Sequence, residues 1–150
     1  MTNRLGGLRP DAPPLAALGP WVAGVRSIEV VNPDQIDILS VAPGHLPRHD
    51  RRLAVEIWYP AAAGHAGGCR YDTLLRDGLT PISLWGDACR DAAPATGPFP
   101  LVILSHGYPG NRLLMAHLGE NLATKGYVVA AIDHRDSKIG RASCRERVSS

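Results

Sequence analysis

Residues 99–136 contain, in immediate succession, the patterns of a strand, a polar turn, a helix and a second strand, and this order constrains the fold more than any other part of the chain. The apolar run 101–104 leads directly into the sequence His-Gly-Tyr-Pro-Gly at 106–110. Short apolar runs bounded by glycine and proline are typical of buried strands. Parallel α/β sheets bind ligands outside the carboxyl ends of their strands, so we expect the turn 106–110 to lie beside a functional crevice.

The strongest helix signal lies at 111–125. Asn111 is suited to cap the helix N-terminus, Gly126 supplies a stop, and leucines recur at 114, 118 and 122 on one face. Gly119 in mid-helix costs about 1 kcal/mol relative to alanine, which indicates close packing against the sheet.

A near-continuous apolar run at 127–132 follows the helix signal. Such runs are typical of a parallel strand that is covered on both faces. Strand, helix and strand therefore predict a right-handed βαβ unit.

Two further strands are predicted nearer the N-terminus, at 21–32 and 51–59, because polar and apolar residues alternate there. Asn-Pro-Asp at 32–34 would end the first strand, 35–40 would add a short strand or turn, and Pro60 would close the second. We expect these strands to form an antiparallel pair before the βαβ unit. Glycine and proline interrupt 61–97, which favours a long lid-like loop with one short helix over the sheet.

Composition supports one soluble domain. The 150 residues are 45% hydrophobic and 20% charged, and no run approaches the roughly 18 apolar residues that cross a bilayer. The first 20 residues lack the apolar core of a signal peptide, which favours a flexible leader at 1–20 and a cytoplasmic protein. Cys69, Cys89 and Cys144 form no Cys-x-x-Cys pair, so the sequence implies no metal and no redox role.

The segment 139–148, IGRASCRERV, is polar, basic and without periodicity. It resembles, residue for residue, one translated reading frame of a common sequencing adapter. We therefore interpret 138–150 as a non-native tail and exclude it from functional reasoning. Removal of residues 139–150, which contain three arginines and one glutamate, leaves 13 basic and 13 acidic side chains. A neutral chain gives no support for binding to nucleic acid or to an anionic membrane.

The motif Ser105-His106-Gly107, the helix that follows it and the His-Arg-Asp sequence at 134–136 resemble the α/β-hydrolase superfamily. Within it, the order and spacing are similar to the platelet-activating-factor acetylhydrolase-like esterases and to bacterial polyester hydrolases of the cutinase type. The resemblance covers 21–136, with specific motifs only from Leu101 onward. It implies an incomplete α/β-hydrolase fold, in which 21–137 form the N-terminal part of the domain.

The resemblance implies that His106, Gly107 and Tyr108 form the loop that supplies half of an oxyanion hole. Acyl transfer passes through a tetrahedral oxyanion, which fixed backbone N–H groups stabilise by roughly 3 to 4 kcal/mol each. We favour the N–H of Tyr108 as the donor, with its ring lining the acyl pocket. The alternative is a turn that only joins strand to helix around a buried histidine.

We interpret the other polar residues near the turn as structural rather than catalytic. Ser105 lacks the Gly-x-Ser-x-Gly context of a hydrolase nucleophile, and neighbours on a strand point to opposite faces. Asp133, His134 and Asp136 could be metal ligands, but a turn with a salt bridge is the commoner arrangement. Arg112 is expected to bind a carbonyl or carboxylate rather than a substrate phosphate.

The sequence is therefore interpreted as an N-terminal fragment of a serine carboxylic-ester hydrolase that acts on a small-molecule ester and needs no cofactor. The resemblance places the nucleophile, acid and base after the last recognised strand, so the fragment is predicted to be inactive. The last predicted strand, at 127–132, is expected to expose an edge that a further strand would cover. We therefore expect the fragment to be only marginally stable. The alternatives are a dienelactone-hydrolase or peptidase relative, and a non-catalytic binding module on the same fold. The sequence leaves the oligomeric state open.

Overall fold

A computed structural model describes residues 3–62, 67–75 and 77–134 of the chain. A short 3-10 helix at Pro14–Ala16, seven strands and one α-helix are defined within these ranges: β1 Val22–Ile36, β2 Arg48–Ala61, β3 Cys69–Leu74, β4 Pro81–Gly86, β5 Cys89–Arg90, β6 Leu101–Leu104, α1 Ala116–Thr124 and β7 Val128–Ile132. Five strands form one sheet in the order β5-β1-β2-β7-β6, and β3 pairs with β4 in a second sheet. The predicted tail at 138–150, and Asp136, lie outside the described residues.

The predicted antiparallel pair is confirmed by β1 and β2, whose register runs from Val22 opposite Ala61 to Asn32 opposite Arg51. The predicted end of the first strand at 32–34 is wrong, because the register shifts there and pairing resumes at Gln35. Pro33 has no N–H to donate and Asp34 has a φ of 53°, so the chain bulges and continues as β1. No separate strand forms at 35–40, but the turn predicted as its alternative is confirmed, since the N–H of Ser40 donates to the carbonyl of Asp37 at 2.9 Å.

The predicted succession of strand, helix and strand is confirmed, since α1 connects β6 to β7 and the two strands pair in parallel. The predicted exposed edge is on a different strand. β7 pairs with β2 on one side and with β6 on the other, so it is interior. Within the described ranges β6 and β5 are the two edge strands of this sheet, and Leu101 and Ile103 are exposed on one face of β6. β7 is fully buried only at Val129 and Ala131, so the predicted cover on both faces is incomplete.

The helix begins at Ala116, not at Asn111 as the sequence predicts. Asn111 caps instead the turn at 112–115, by accepting a 2.8 Å hydrogen bond from the N–H of Leu113. The predicted stop is confirmed, because Gly126 has a φ of 90° just after the helix. The close packing predicted for Gly119 is also confirmed, since a Cβ there would lie 2.6 Å from the Trp58 ring.

The segment 61–97 is not a loop with a helix, as predicted, but carries the antiparallel hairpin β3–β4. Residues on β3 alternate between buried and exposed, and Tyr71 is 1% exposed. The Tyr71 hydroxyl accepts from Trp58 Nε1 at 2.9 Å and donates to Glu120 Oε1 at 2.7 Å. Glu120 also accepts from the N–H groups of Asp87 and Ala88 at 3.0 and 3.3 Å. Buried polar groups therefore fasten the hairpin to α1.

The segment 3–20, for which the sequence predicts a flexible leader, makes defined contacts. The N–H of Leu5 donates to the carbonyl of Trp85 at 2.7 Å, which joins the segment to β4. At its other end, the N–H of Gly19 donates to Thr124 Oγ1 at 2.8 Å at the end of α1. None of the described helices is long and apolar enough to cross a membrane.

Candidate active site

The turn after β6 forms one wall of a cleft of about 550 Å³, and the hairpin β3–β4 forms the opposite wall. Gly107, Tyr108 and Asn111 line the cleft from the turn, and Thr73 and Leu75 line it from the hairpin. The cleft therefore lies at the carboxyl end of β6, where the sequence predicted a functional crevice.

His106 is 7% exposed and holds the turn from inside. Its Nε2 accepts from the backbone N–H of His134 at 3.2 Å, and its Nδ1 lies 2.9 Å from the carbonyl oxygen of Gly107. An accepting Nε2 leaves the ring proton on Nδ1, which can then donate to Gly107. The turn thus contains the buried, hydrogen-bonded histidine of the alternative interpretation, and its role in an oxyanion hole stays a prediction.

The backbone N–H groups of Gly107 and Tyr108 make no hydrogen bond to any residue that the structure describes. Tyr108 is 62% exposed, and the position of a Cβ on Gly107 is open space. Gly110 is different, because a Cβ there would lie 2.6 Å from the Gly107 oxygen and 2.9 Å from His106 Nδ1. The turn therefore depends on a missing side chain at Gly110 and presents uncommitted donors at 107 and 108.

Arg112 and Asp133 fix the start of the segment after the turn. Asp133 accepts from the Arg112 backbone N–H at 2.6 Å and from its guanidinium at 2.7 Å. Arg112 Nε also lies 3.3 Å from Glu56, which is 1% exposed on β2. The carboxylate partner predicted for Arg112 and the salt bridge predicted for Asp133 are both confirmed.

Glu56 connects this part of the site to the far edge of the sheet. It pairs with Arg90 of β5 at 2.6 Å and accepts from the Ser27 hydroxyl at 2.7 Å. Burial acts to lower the pKa of the Arg90 guanidinium, but the hydrogen bond and the charge of Glu56 help to raise it above its usual value. Sequence reasoning missed Glu56, because a glutamate that alternates with apolar residues along a strand is typical of a solvent-exposed face. The apolar Ala54 and Trp58 on the same face are the signal that could have indicated its burial.

Ser105 and His106 point to opposite sides, as the strand pattern predicted: Ser105 is exposed and His106 is buried. The Ser105 hydroxyl lies 2.8 Å from His134 Nε2, a contact that sequence separation concealed. The His106 and His134 rings are 4.6 Å apart. Ser105 follows β6 directly and leads into a turn rather than into the sharp strand-to-helix elbow of a hydrolase nucleophile.

The residues considered as metal ligands are engaged with protein groups. His106, Asp133 and His134 each make the hydrogen bonds given above, and no cluster suited to a metal ion occurs in the described ranges. Asp136 and Cys144 lie outside those ranges. Burial raises the pKa of both the Cys69 and the Cys89 thiol, which disfavours reactive thiolates.

Comparison with known proteins gives a consistent set of similarities. The family model described as platelet-activating factor acetylhydrolase, isoform II, matches residues 75–149. Platelet-activating factor acetylhydrolases of Bos taurus and Canis lupus familiaris are each 45% identical over 38 residues, which are 25% of this chain and 9% of the relative. The structure of a ferulic acid esterase from Streptomyces cinnamoneus superposes with a TM-score of 0.68 at 27% identity. That match covers 91% of this chain and 38% of the esterase chain.

Proposed function

The chain belongs to the platelet-activating factor acetylhydrolase, isoform II, family, and on that premise we propose that it forms the oxyanion-hole part of a serine carboxylic-ester hydrolase. The substrate is a small-molecule ester. The 150-residue chain by itself is inactive, because it contains no Gly-x-Ser-x-Gly sequence to supply the nucleophile.

One observation carries the proposal: Gly107 and Tyr108 line the cleft, and their N–H groups have no partner among the described residues. Unpaired backbone donors are uncommon unless water or a ligand accepts from them. An ester carbonyl becomes an oxyanion during acyl transfer, and it is an acceptor of the required kind.

The surrounding contacts hold these donors before substrate binds. His106 fixes the turn from below through the Gly107 carbonyl, and Asp133 fixes Arg112 just beyond it. A preorganised donor needs no rearrangement as charge develops, and removal of one such donor slows acyl transfer by about 100- to 1,000-fold. A serine hydroxyl, whose proton a histidine accepts, would attack the same carbonyl, and both residues would come from a part of the enzyme that follows β7 in sequence.

The first test uses the purified chain and 4-nitrophenyl butyrate. We expect the ester to be hydrolysed no faster than in buffer without protein, and we expect no covalent labelling by a fluorophosphonate, because no activated serine is present. Turnover that a fluorophosphonate abolishes would overturn the proposed inactivity.

The second test uses the product of the intact gene, in which we expect a Gly-x-Ser-x-Gly sequence about 40 to 60 residues after Asp136. Gly110→Ala and Gly107→Ala form a matched pair within the turn. Gly110→Ala would displace the Gly107 carbonyl and His106, so we expect kcat to fall about 100-fold or more. Gly107→Ala meets no protein atom, so we expect it to retain the wild-type melting temperature. Equal kcat values for wild type and Gly110→Ala would contradict the proposed role of the turn.

A further inference from the structure

The hairpin β3–β4 contributes an entire wall of the cleft, although it lies far from the turn in sequence. Asp72, Thr73, Leu74, Leu75 and Gly78 line this side. Tyr71 and Glu120 fasten the base of the hairpin to α1, so the wall has a fixed origin. Its distance from the oxyanion turn then depends on contacts nearer the cleft.

One side chain bridges the two walls directly. Asn111 Nδ2 donates to Thr73 Oγ1 at 2.9 Å, while Asn111 Oδ1 accepts from the N–H of Leu113 at 2.8 Å. The same amide therefore holds the end of the turn with one atom and the hairpin with the other. Both residues line the cleft, so this hydrogen bond sets the width of the cleft at that point.

The charged residues that line the cleft are paired within the protein. Asp72 accepts from Arg70 at 2.8 Å and from Ser83 at 2.6 Å, and Arg112 is bound to Asp133 at 2.7 Å. Within the part of the chain that the structure describes, the lining thus offers a ligand no uncompensated charge. A charged group placed there would lose hydration without gaining a counter-ion.

Apolar side chains of both walls remain accessible. Leu74 and Leu75 of the hairpin are 42% and 45% exposed, and Leu114 and Tyr108 opposite them are 54% and 62% exposed. A volume of about 550 Å³ is within the usual range for small-molecule sites and far exceeds what an acetyl group fills. The cleft is therefore suited to an extended apolar group.

We propose that the hairpin β3–β4 is the specificity wall of the site, that it binds the uncharged apolar arm of the ester, and that the hydrogen bond between Thr73 and Asn111 sets its position. This inference rests on the proposed function for the identity of the ligand as an ester. Thr73 acts as a positioning residue and does not touch the reacting carbonyl. The selected substrates are esters with a long alkyl or an aryl arm and no charge on that arm.

The test measures ligand binding by methyl NMR of the 150-residue chain, so it needs no catalysis. The probe is 2-decanone, an uncharged ketone that resembles an ester carbonyl and cannot be hydrolysed. The matched charged probe is 9-oxodecanoate, which has the same methyl ketone and carries a carboxylate at the far end of its alkyl arm. We expect saturable shifts of the Leu74, Leu75 and Leu114 methyl signals with 2-decanone, and binding of 9-oxodecanoate about tenfold weaker or more. Equal affinity for both probes, or an absence of shifts on the hairpin, would overturn the proposal.

Thr73→Val and Thr73→Ser separate the hydroxyl from the shape of the side chain. Thr73→Val removes the acceptor for Asn111, so we expect the Kd for 2-decanone to rise about fivefold. Thr73→Ser keeps the hydroxyl and should retain the wild-type Kd. The indole N–H signal of Trp58, which is bonded to Tyr71, reports whether each variant keeps its core. A Kd unchanged in Thr73→Val, or raised equally in both variants, would overturn the role of Thr73.

The two proposals fail in different ways. If 2-decanone binds the hairpin as expected and the intact gene product hydrolyses no ester, the proposed function fails while the cleft remains a site for apolar ligands. If the gene product hydrolyses 4-nitrophenyl acetate and 2-decanone leaves the hairpin signals unmoved, only the specificity wall is overturned.

Discussion

Two buried glutamates, Glu56 and Glu120, fasten opposite sides of the cleft and are compensated in different ways. Glu56 is 1% exposed and faces two guanidinium groups, at 2.6 Å from Arg90 and 3.3 Å from Arg112. Glu120 is 5% exposed and accepts from the Tyr71 hydroxyl at 2.7 Å and from two backbone N–H groups. In the described ranges no cation lies within ion-pair distance of Glu120.

The difference shows how each wall is held. The turn wall depends on charge, because Glu56 fixes Arg112, which in turn binds Asp133. The hairpin wall depends on neutral donors, because Glu120 is reached only by a phenol and by backbone groups. Removal of a charged group should therefore destabilise the turn wall more than the hairpin wall. Loss of a hydroxyl group should destabilise the hairpin wall more than the turn wall.

Glu56→Gln is expected to have the largest effect of the set. The amide keeps the shape but leaves Arg90 and Arg112 without their shared countercharge, so we expect the free energy of unfolding to fall by about 3 kcal/mol in urea titrations. Glu29→Gln is the matched control, since Glu29 pairs with Arg52 at the surface and should lose less than about 1 kcal/mol. Similar losses of unfolding free energy in both variants would show that the buried ion pairs of Glu56 contribute no more to stability than a surface ion pair.

Glu120→Gln should destabilise less, by about 2 kcal/mol. The carboxamide can still accept from Tyr71, but its NH₂ must then face the N–H of Asp87, which leaves one buried donor unsatisfied. Urea titrations of Glu120→Gln and Glu56→Gln under the same conditions show which variant loses more free energy of unfolding. A larger loss for Glu120→Gln would reverse the comparison and identify the hairpin side as the more dependent on charge.

Tyr71 makes the hairpin side sensitive to high pH. Burial, together with the adjacent Glu120 carboxylate and its hydrogen bond, raises the pKa of the Tyr71 phenol far above its usual value. The folded state keeps this proton while the unfolded state loses it above about pH 10, so stability should fall by about 1.4 kcal/mol per pH unit as pH rises beyond 10. Urea titrations at pH 10 and 11 should show this slope.

Tyr71→Phe provides the control for the pH dependence. Burial also raises the pKa values of Tyr59 and of the two buried cysteines, so part of the slope belongs to other groups. The difference between wild type and Tyr71→Phe isolates the phenol. Identical slopes would show that Tyr71 does not keep its proton when the protein is folded.

Ser27→Ala should have the smallest effect, about 1 kcal/mol. The Ser27 hydroxyl donates to Glu56 at 2.7 Å, and Arg90 continues to compensate the carboxylate when this donor is removed. Ser83→Ala is the matched surface control, since Ser83 donates to the exposed Asp72 at 2.6 Å and should change stability by no more than about 0.5 kcal/mol. A loss above 2 kcal/mol for Ser27→Ala would make the hydroxyl, and not the guanidinium groups, the main partner of Glu56.

The sequence predicted best where local pattern and tertiary packing agree. The bounds of β6 and the stop at Gly126 follow from local signals, and the burial of Gly119 followed from its mid-helix position. The turn at 106–110 was predicted at the carboxyl end of a strand, and it lines the cleft there. Its proposed role as an oxyanion hole stays a prediction.

The failures involve contacts between distant residues. The hairpin β3–β4 was missed because its glycines and prolines conceal an alternation that matters only once Tyr71 meets Glu120, 49 residues away. The helix start was misplaced because Asn111 is held by Thr73 and Arg112 by Asp133, which favours a turn over a further helical turn. Local propensity cannot register either set of partners.

The order of strands also has a consequence for assembly during synthesis. β6 precedes β7 in the chain, yet β7 separates β6 from the β1–β2 pair in the sheet. As the polypeptide emerges, the β1–β2 hairpin can form early from local pairing, while β6 must wait for the strand that will join it to that hairpin. His106 receives its backbone hydrogen bond from His134, just past β7, so the turn acquires its final support only when that residue has been made. The turn after β6, which lines the cleft, is thus among the last parts of the described region to form.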